Sequence, residues 1–451
     1  MDIAKLSDIF QRNDRTSKAK RQILYSVALK GISVLVGLVY VRLLIDILDK
    51  ERYGIWLTLV SVFSLFTVFD IGLGNGLRNK LTEAIAAKKY ELGRKYVSTA
   101  YILISGIFIL LLLIFQGTNH FIKWNTILNT SLIPKGELHL LAAIVFGFFI
   151  FRFIFQLVGV IFLAGQEPAT NNSIGTFGSV LSLLIIWVIF KYAHKISLVA
   201  LGTIISAMPV FVLIAFTIFA FRGRYKSLKP SLKYVDLSLR KDLLGLGVQF
   251  FLIQISALVL YYTANIAITQ FFGPSEVTVY NIAFQYFQVP IMGYTIIVSP
   301  IWSAVTDAYT LGEFGWLRTT LKKLNYVSLI FTFGIVTMVF VSPLFYKFWI
   351  GNRVYIPLEL SVSMGFYAII NIWLSPYSSY VNGLGKLRIT SSFSVIAIGL
   401  YLIMLVVFCR AFADSLGVIL AMSFISLIWL ALQSIQTYKI IENRATGFWN
   451  M

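Results

Sequence analysis

Cysteine and histidine are almost missing from this chain of 451 residues: Cys409 is the one cysteine, and His120, His139 and His194 are the three histidines. A lone cysteine excludes an internal disulfide and any CxxC metal or redox site. No HExxH run occurs, and the histidines fall in loops or at the ends of apolar runs, away from any Ser-His-Asp arrangement. Charge is scarce as well. Asp, Glu, Lys and Arg make up 13% of the chain, against about 25% in a soluble domain. The loops between apolar runs are short, and the longest on the outer side, 116–137, is too small for a separate catalytic domain. The sequence is not that of an enzyme.

What fills the chain is hydrocarbon. Hydrophobic residues make up 58% and aromatics 16%, with a mean hydropathy of +0.82. Apolar runs of about 18 or more residues recur, each long enough to cross the bilayer as a helix; a barrel strand would need only about ten alternating residues. Twelve spans are predicted, at 22–45, 54–74, 96–115, 138–163, 174–192, 196–221, 243–270, 277–300, 325–346, 357–382, 389–409 and 415–438. The fold class is all-α: a polytopic membrane protein with about twelve transmembrane helices in two six-helix bundles related as repeats.

The formal net charge of +19 would suit nucleic acid if it formed a soluble patch. Its distribution fits membrane topology instead. With both termini on one side, roughly two thirds of the Lys and Arg residues fall on that side, as cytoplasmic loops require. Lys30, Arg42 and Arg152 lie inside spans, and Lys191 at the very end of one. Nucleic acid is not an expected partner; membrane lipid is. Some twenty polar, basic residues precede the first span, so no cleavable signal peptide is expected. The expected organisation is a cytoplasmic N-terminal segment (1–21), a first bundle (22–221), a basic cytoplasmic linker (222–242), a second bundle (243–438) and a cytoplasmic tail (439–451).

Two echoes suggest that the bundles are repeats. "TEA" (Thr82 to Ala84) follows span two and "TDA" (Thr306 to Ala308) follows span eight; "LAGQEPATNN" after span four matches "VNGLGKLRIT" after span ten, with Gly165 opposite Gly383. Parallel repeats of this kind place substrate sites where the two bundles face one another. The stretch "DIGLGNGLRNK" (Asp70 to Lys80) holds a Gly-x-Gly-x-Gly. A dinucleotide loop needs Gly-x-Gly-x-x-Gly between a short strand and a helix, and here some twenty apolar residues come first. The glycines are expected to end a helix at the cytoplasmic interface, with Arg78 and Lys80 holding it there.

The residues from Arg42 to Lys80, with Arg-Leu-Leu closing span one, Tyr-Gly opening span two and Asp-x-Gly-Leu-Gly closing it, resemble the start of bacterial polysaccharide-biosynthesis or O-antigen flippases. "NGLGKLRI" (Asn382 to Ile389) resembles their connection between spans ten and eleven. These flippases belong to the multidrug/oligosaccharidyl-lipid/polysaccharide exporter superfamily. The resemblance implies two six-helix bundles forming a V, a central cavity, and translocation of an undecaprenyl-diphosphate-linked oligosaccharide across the bacterial cytoplasmic (inner) membrane. Relatives that flip the peptidoglycan precursor have fourteen spans, which turns expectation away from that substrate. No cofactor is expected. Coupling to a proton or sodium gradient, and contact with polysaccharide-assembly proteins, are the remaining expectations.

Ionisable residues within spans cost at least about 2.5–3.5 kcal/mol on insertion scales and face a partner or a cavity. Ser26, Lys30, Ser33, Gly37 and Tyr40 form one stripe on span one. Lys30 could hold a diphosphate by charge-assisted hydrogen bonds or snorkel to headgroups. Arg152 lies mid-span with Gln156 one turn on, as an anion site or a buried structural partner. Arg42 and Asp46 share a face and suit a structural pair. Asp70, just inside the cytoplasmic interface, could bind a coupling ion or pair with Arg78 or Lys30; Asp307, in the matching "TDA", joins it as a coupling or gating candidate. Span seven carries Gln254, Tyr261, Asn265 and Thr269 on one face, and span eight Asn281, Gln285 and Gln288. Placed amides and aromatic faces suit sugars, while interhelical hydrogen bonding is the structural alternative. A cationic cavity argues for an anionic lipid-linked glycan over the alternative, a multidrug or organic-cation antiporter of the same superfamily. A membrane glycosyltransferase or polymerase would need a large polar loop with catalytic carboxylates or arginines, which this chain lacks.

Overall fold

The computed structural model describes residues 3–70, 73–165, 167–193, 196–244, 248–298, 301–412 and 414–450. Among these residues the elements are all helical. The first, α1 (Ile3–Ser64), contains the first two spans and is divided at Asp49, where φ is 67° and ψ is 174°. Asp is one of the few side chains tolerated at positive φ, and here it also starts the next helix. Its Oδ1 accepts from the amides of Glu51 and Arg52, each at 2.9 Å, satisfying donors that an N-terminus leaves open. A 3-10 turn, Leu65–Asp70, closes the second span.

The first half continues with α2 (Leu73–Ala86), α3 (Tyr90–Thr118), α4 (Lys135–Phe155), α5 (Leu157–Ala164), α6 (Pro168–Ala193) and α7 (Leu198–Arg222). The second half holds α8 (Val248–Phe272), α9 (Pro274–Val298), α10 (Ile301–Thr310), α11 (Phe314–Trp349), α12 (Leu358–Leu384), α13 (Arg388–Ala411) and α14 (Leu416–Ile441). Ten stretches among the described residues are long and apolar enough to cross a membrane. One of them, Ala28–Thr67, contains two spans, and the more polar α9, with 25 residues, is long enough for another. All twelve expected spans therefore coincide with helices.

Two compact units result. One comprises Met1–Leu43, Phe69–Ile122 and Pro134–Gly247; the other comprises Leu44–Val68, Lys123–Ile133 and Val248–Met451. The same device follows the second span and the eighth. In the first unit the short helix α2 lies against α5, which ends at Gly165. In the second the short helix α10 lies against α12, and the Thr306 hydroxyl donates to the Gly383 carbonyl at 2.8 Å. The sequence echoes thus mark equivalent places.

Of the glycines expected to release the chain, Gly72 lies outside the described residues, while Gly74 and Gly76 lie inside α2. A Cβ on Gly76 would overlap the carbonyl of Leu243, so this glycine admits a close backbone approach by the short helix Arg240–Leu244. No strand stands before it among the described residues, and the phosphate-loop reading falls.

Candidate functional site

Polar side chains on the spans gather in both units. In the first unit Lys30 is half-buried on α1 and has no ion-pair partner among the described residues. One turn on, Ser33 Oγ lies 2.7 Å from Thr176 Oγ1 of α6, and Thr176 also donates to the Asn172 carbonyl at 3.2 Å. The stripe expected on span one therefore meets a second polar helix. The signal for it was present as "ATNNSIGT" (Ala169 to Thr176), but periodicity marks a face without saying which face it meets. A Cβ on Gly159 would overlap Asn171 Oδ1, so α5 and α6 approach closely beside this set.

Arg152 is exposed in the last turn of α4, where a cation complements the carbonyl end of a helix. Gln156 separates α4 from α5, so the predicted fourth span is two helices. Arg78 is exposed on α2 and makes no ion pair among the described residues; its neighbour Lys80 pairs with Glu83 at 3.0 Å. The side chains of Asp70, Gln254 and Asp307 lie outside the described residues.

In the second unit the amide stripe divides into two kinds of residue. Asn265 of α8 donates to Ser61 Oγ at 2.9 Å, and Asn281 of α9 donates to Asn265 Oδ1 at 2.8 Å and to the Val277 carbonyl at 2.8 Å. Thr58 and Thr269 hydroxyls meet at 2.5 Å. These groups clip three helical segments together, which is the adhesive reading of interhelical amides. Tyr261 and Gln285 differ. The Tyr261 ring is 48% exposed and stands edge-on to Phe284 at 5.4 Å. Phe284 in turn stacks on Tyr280 at 5.6 Å. Gln285 is half-buried and spends neither amide group within the described residues. An exposed phenol ring can take a sugar ring by stacking, and an uncommitted amide can take hydroxyls by hydrogen bonds.

The same unit contains a polar stripe that sequence reading missed. Ser423, Ser426, Gln433, Gln436 and Thr437 follow one buried face of α14. Ser378 donates to Gln433 Oε1 at 2.6 Å, and Gln436 Nε2 donates to the Lys386 carbonyl at 3.0 Å. The amide and hydroxyl run "QSIQT" (Gln433 to Thr437) was the available signal. Asp46, expected beside Arg42, gives its carboxylate to Arg353 at 2.5 Å instead, a partner more than three hundred residues away.

Comparison with known proteins agrees with this architecture. The chain is 22% identical over 372 residues to a putative O-antigen export protein of Yersinia pseudotuberculosis, covering 79% of this chain and 81% of that protein. It is 20% identical over 365 residues to a putative O-antigen transporter of Salmonella typhi, covering 78% and 81%. Its fold is similar to the inward-facing conformation of a multidrug resistance MATE family transporter of the MOP superfamily, with TM-score 0.73, 14% identity and coverage of 94% of this chain and all of that one. A MOP superfamily transporter from Pyrococcus furiosus, whose report describes a binding pocket of reversed polarity, matches with TM-score 0.65 and 14% identity over 95% of this chain and 97% of that one. The model of the polysaccharide biosynthesis protein family matches residues 19–304, well over half of the sequence. A multi-pass helical chain of this fold, matched over that length, belongs to the polysaccharide biosynthesis protein family.

Proposed function

We propose that this protein is a flippase that moves undecaprenyl-diphosphate-linked oligosaccharide units from the cytoplasmic to the outer leaflet of the bacterial inner membrane, by alternating access and without catalysing a reaction. Both termini are cytoplasmic in this reading. The observation that carries it is Lys30, a half-buried cation within a span that no described residue neutralises. A diphosphate supplies the missing counter-charge through charge-assisted hydrogen bonds. Tyr261 and Gln285 supply the surface for the sugars, and Arg152 is a second candidate anion contact. The polyprenyl chain stays in lipid, where it costs nothing to bury. The O-antigen relatives support the substrate class. A cationic drug is the poorer substrate, because Lys30 would repel it.

The deciding experiment reconstitutes the protein with fluorescent undecaprenyl-diphosphate glycans and measures their transfer between leaflets. Wild type transfers them; Lys30→Ala and Lys30→Glu insert normally and do not. Lys30→Arg keeps part of the rate, since the charge survives but the compact ammonium does not. Full transfer by the glutamate variant would remove the anion-binding role. Coupling to a proton or sodium gradient belongs to the same proposal, with Asp70 as the ion carrier or charge partner and Arg78 and Asp307 as gating candidates. Imposed gradients should change wild-type flux and leave Asp70→Asn flux unchanged.

A further inference from the structure

The basic connection after α7 is a folded strap. It forms 3-10 turns at Lys226–Leu228, Leu232–Tyr234 and Leu237–Leu239 and then the helix Arg240–Leu244. One face is nailed to α3. Ser231 donates its amide to Ser98 Oγ at 3.1 Å, Asp236 donates its amide to Thr99 Oγ1 at 3.0 Å, and Thr99 returns a bond to the Asp236 carbonyl at 3.2 Å. Arg94 donates to the Lys229 carbonyl at 2.8 Å and stacks 4.0 Å over the Tyr234 ring. Tyr225, Leu228 and Leu243 are buried beneath. A tether that only joined two bundles would need none of these bonds.

The other face is unusual for a surface held so firmly. Lys226, Lys229, Lys233, Arg240 and Lys241 are all exposed and have no ion-pair partner among the described residues. Asp236 is turned to local use, accepting from the Ser238 hydroxyl at 2.5 Å and the Ser238 amide at 3.1 Å, bonds that hold its carboxyl below the usual range. Between these cations stand Leu232, 78% exposed, and Leu237, 51% exposed. Apolar side chains set among lysines, on a rigid backbone that begins where a membrane helix ends, match the boundary between anionic headgroups and acyl chains. Water satisfies the lysines but not the leucines; a protein partner is not needed to satisfy either.

We infer that this strap is a docking surface for anionic glycerophospholipid headgroups of the membrane in which the protein sits, with Lys226, Lys229 and Lys233 on the phosphates and Leu232 and Leu237 inserted beside them. The test attaches an environment-sensitive dye at position 232 (Leu232→Cys in a Cys409→Ser background) of the full chain, in nanodiscs of phosphatidylcholine with or without phosphatidylglycerol. The expected result is blue-shifted emission, quenched by shallow spin-labelled lipid, that strengthens with phosphatidylglycerol and weakens with salt. Adding Lys226→Gln, Lys229→Gln and Lys233→Gln should cut the phosphatidylglycerol preference by about fivefold per lysine. As an independent measurement without the dye, retention of phosphatidylglycerol by native mass spectrometry should fall in the same lysine variant. Water-like emission in every lipid, or a preference indifferent to the three lysines, overturns the proposal. So does release by millimolar pyrophosphate that ionic-strength-matched chloride does not reproduce, because the strap would then be a soluble-diphosphate site. Release by a nucleic-acid oligomer alone would likewise overturn it.

Discussion

At the scale of single residues, the second-unit amides separate adhesion from recognition. Asn281→Leu removes a donor from Asn265 Oδ1, and we expect a loss of about 1 kcal/mol in stability, seen as a lower melting temperature in detergent. Its transport rate per folded molecule should change little. Tyr261→Ala should do the reverse, leaving the melting temperature within error and lowering glycan transfer, with Tyr261→Phe restoring most of it because the ring face is kept. Equal effects of Asn281→Leu and Tyr261→Ala on both readouts would erase the distinction. The sequence carried half of this. The spacing of Asn265 and Asn281 put each on a polar face, but Ser61, which completes the chain of bonds, lies some two hundred residues earlier. Helical period reports the direction of a side chain, and only the fold reports what it reaches.

At the scale of elements, glycine offers a matched pair. Gly76 in α2 has the Leu243 carbonyl where a Cβ would stand, and Gly106 in α3 has nothing within 4 Å. Backbone cannot move aside as a side-chain tip can, so Gly76→Ala should destabilise by about 1–3 kcal/mol. Gly106→Ala should stabilise by about 0.5–1 kcal/mol, through the lost entropy of a helical glycine. Thermal melts of the two variants check both signs. The division of α1 at Asp49 makes a second case. Asp49→Ala loses the acceptor for two amides at a positive φ and should cost about 0.5–2 kcal/mol, whereas Asp49→Asn should cost less. The helices were legible from hydropathy but not all of their ends: α1 begins at Ile3 and α11 at Phe314, well ahead of the spans expected at 22–45 and 325–346. The role of Gly76 was not legible either, because a glycine that ends a helix and one that admits a neighbour look alike in sequence.

At the scale of the whole molecule, twelve spans and the paired echoes at Gly165 and Gly383 could be read in advance. What could not be read is that Leu44–Val68 and Lys123–Ile133 belong with the second unit. That membership rests on bonds such as Thr58 to Thr269, Asn129 to the Thr269 carbonyl and Thr278 to the Lys50 carbonyl, each joining residues well over a hundred positions apart. It sets a timetable for biosynthesis. At about 5–20 residues per second, the second span leaves the ribosome roughly 10–40 s before α8 and α9 exist to receive it. During that interval Thr58 and Ser61 sit in the bilayer without their final partners. A chain ending at 247 should therefore be cleared by membrane proteases, and co-expression of residues 248–451 from a separate message should rescue it. Pulse-chase labelling of the two fragments, alone and together, measures the rescue; equal half-lives would mean that the second span needs no help. The insertion machinery, or a chaperone beside it, has to shelter one helix for the time taken to make nearly half the protein.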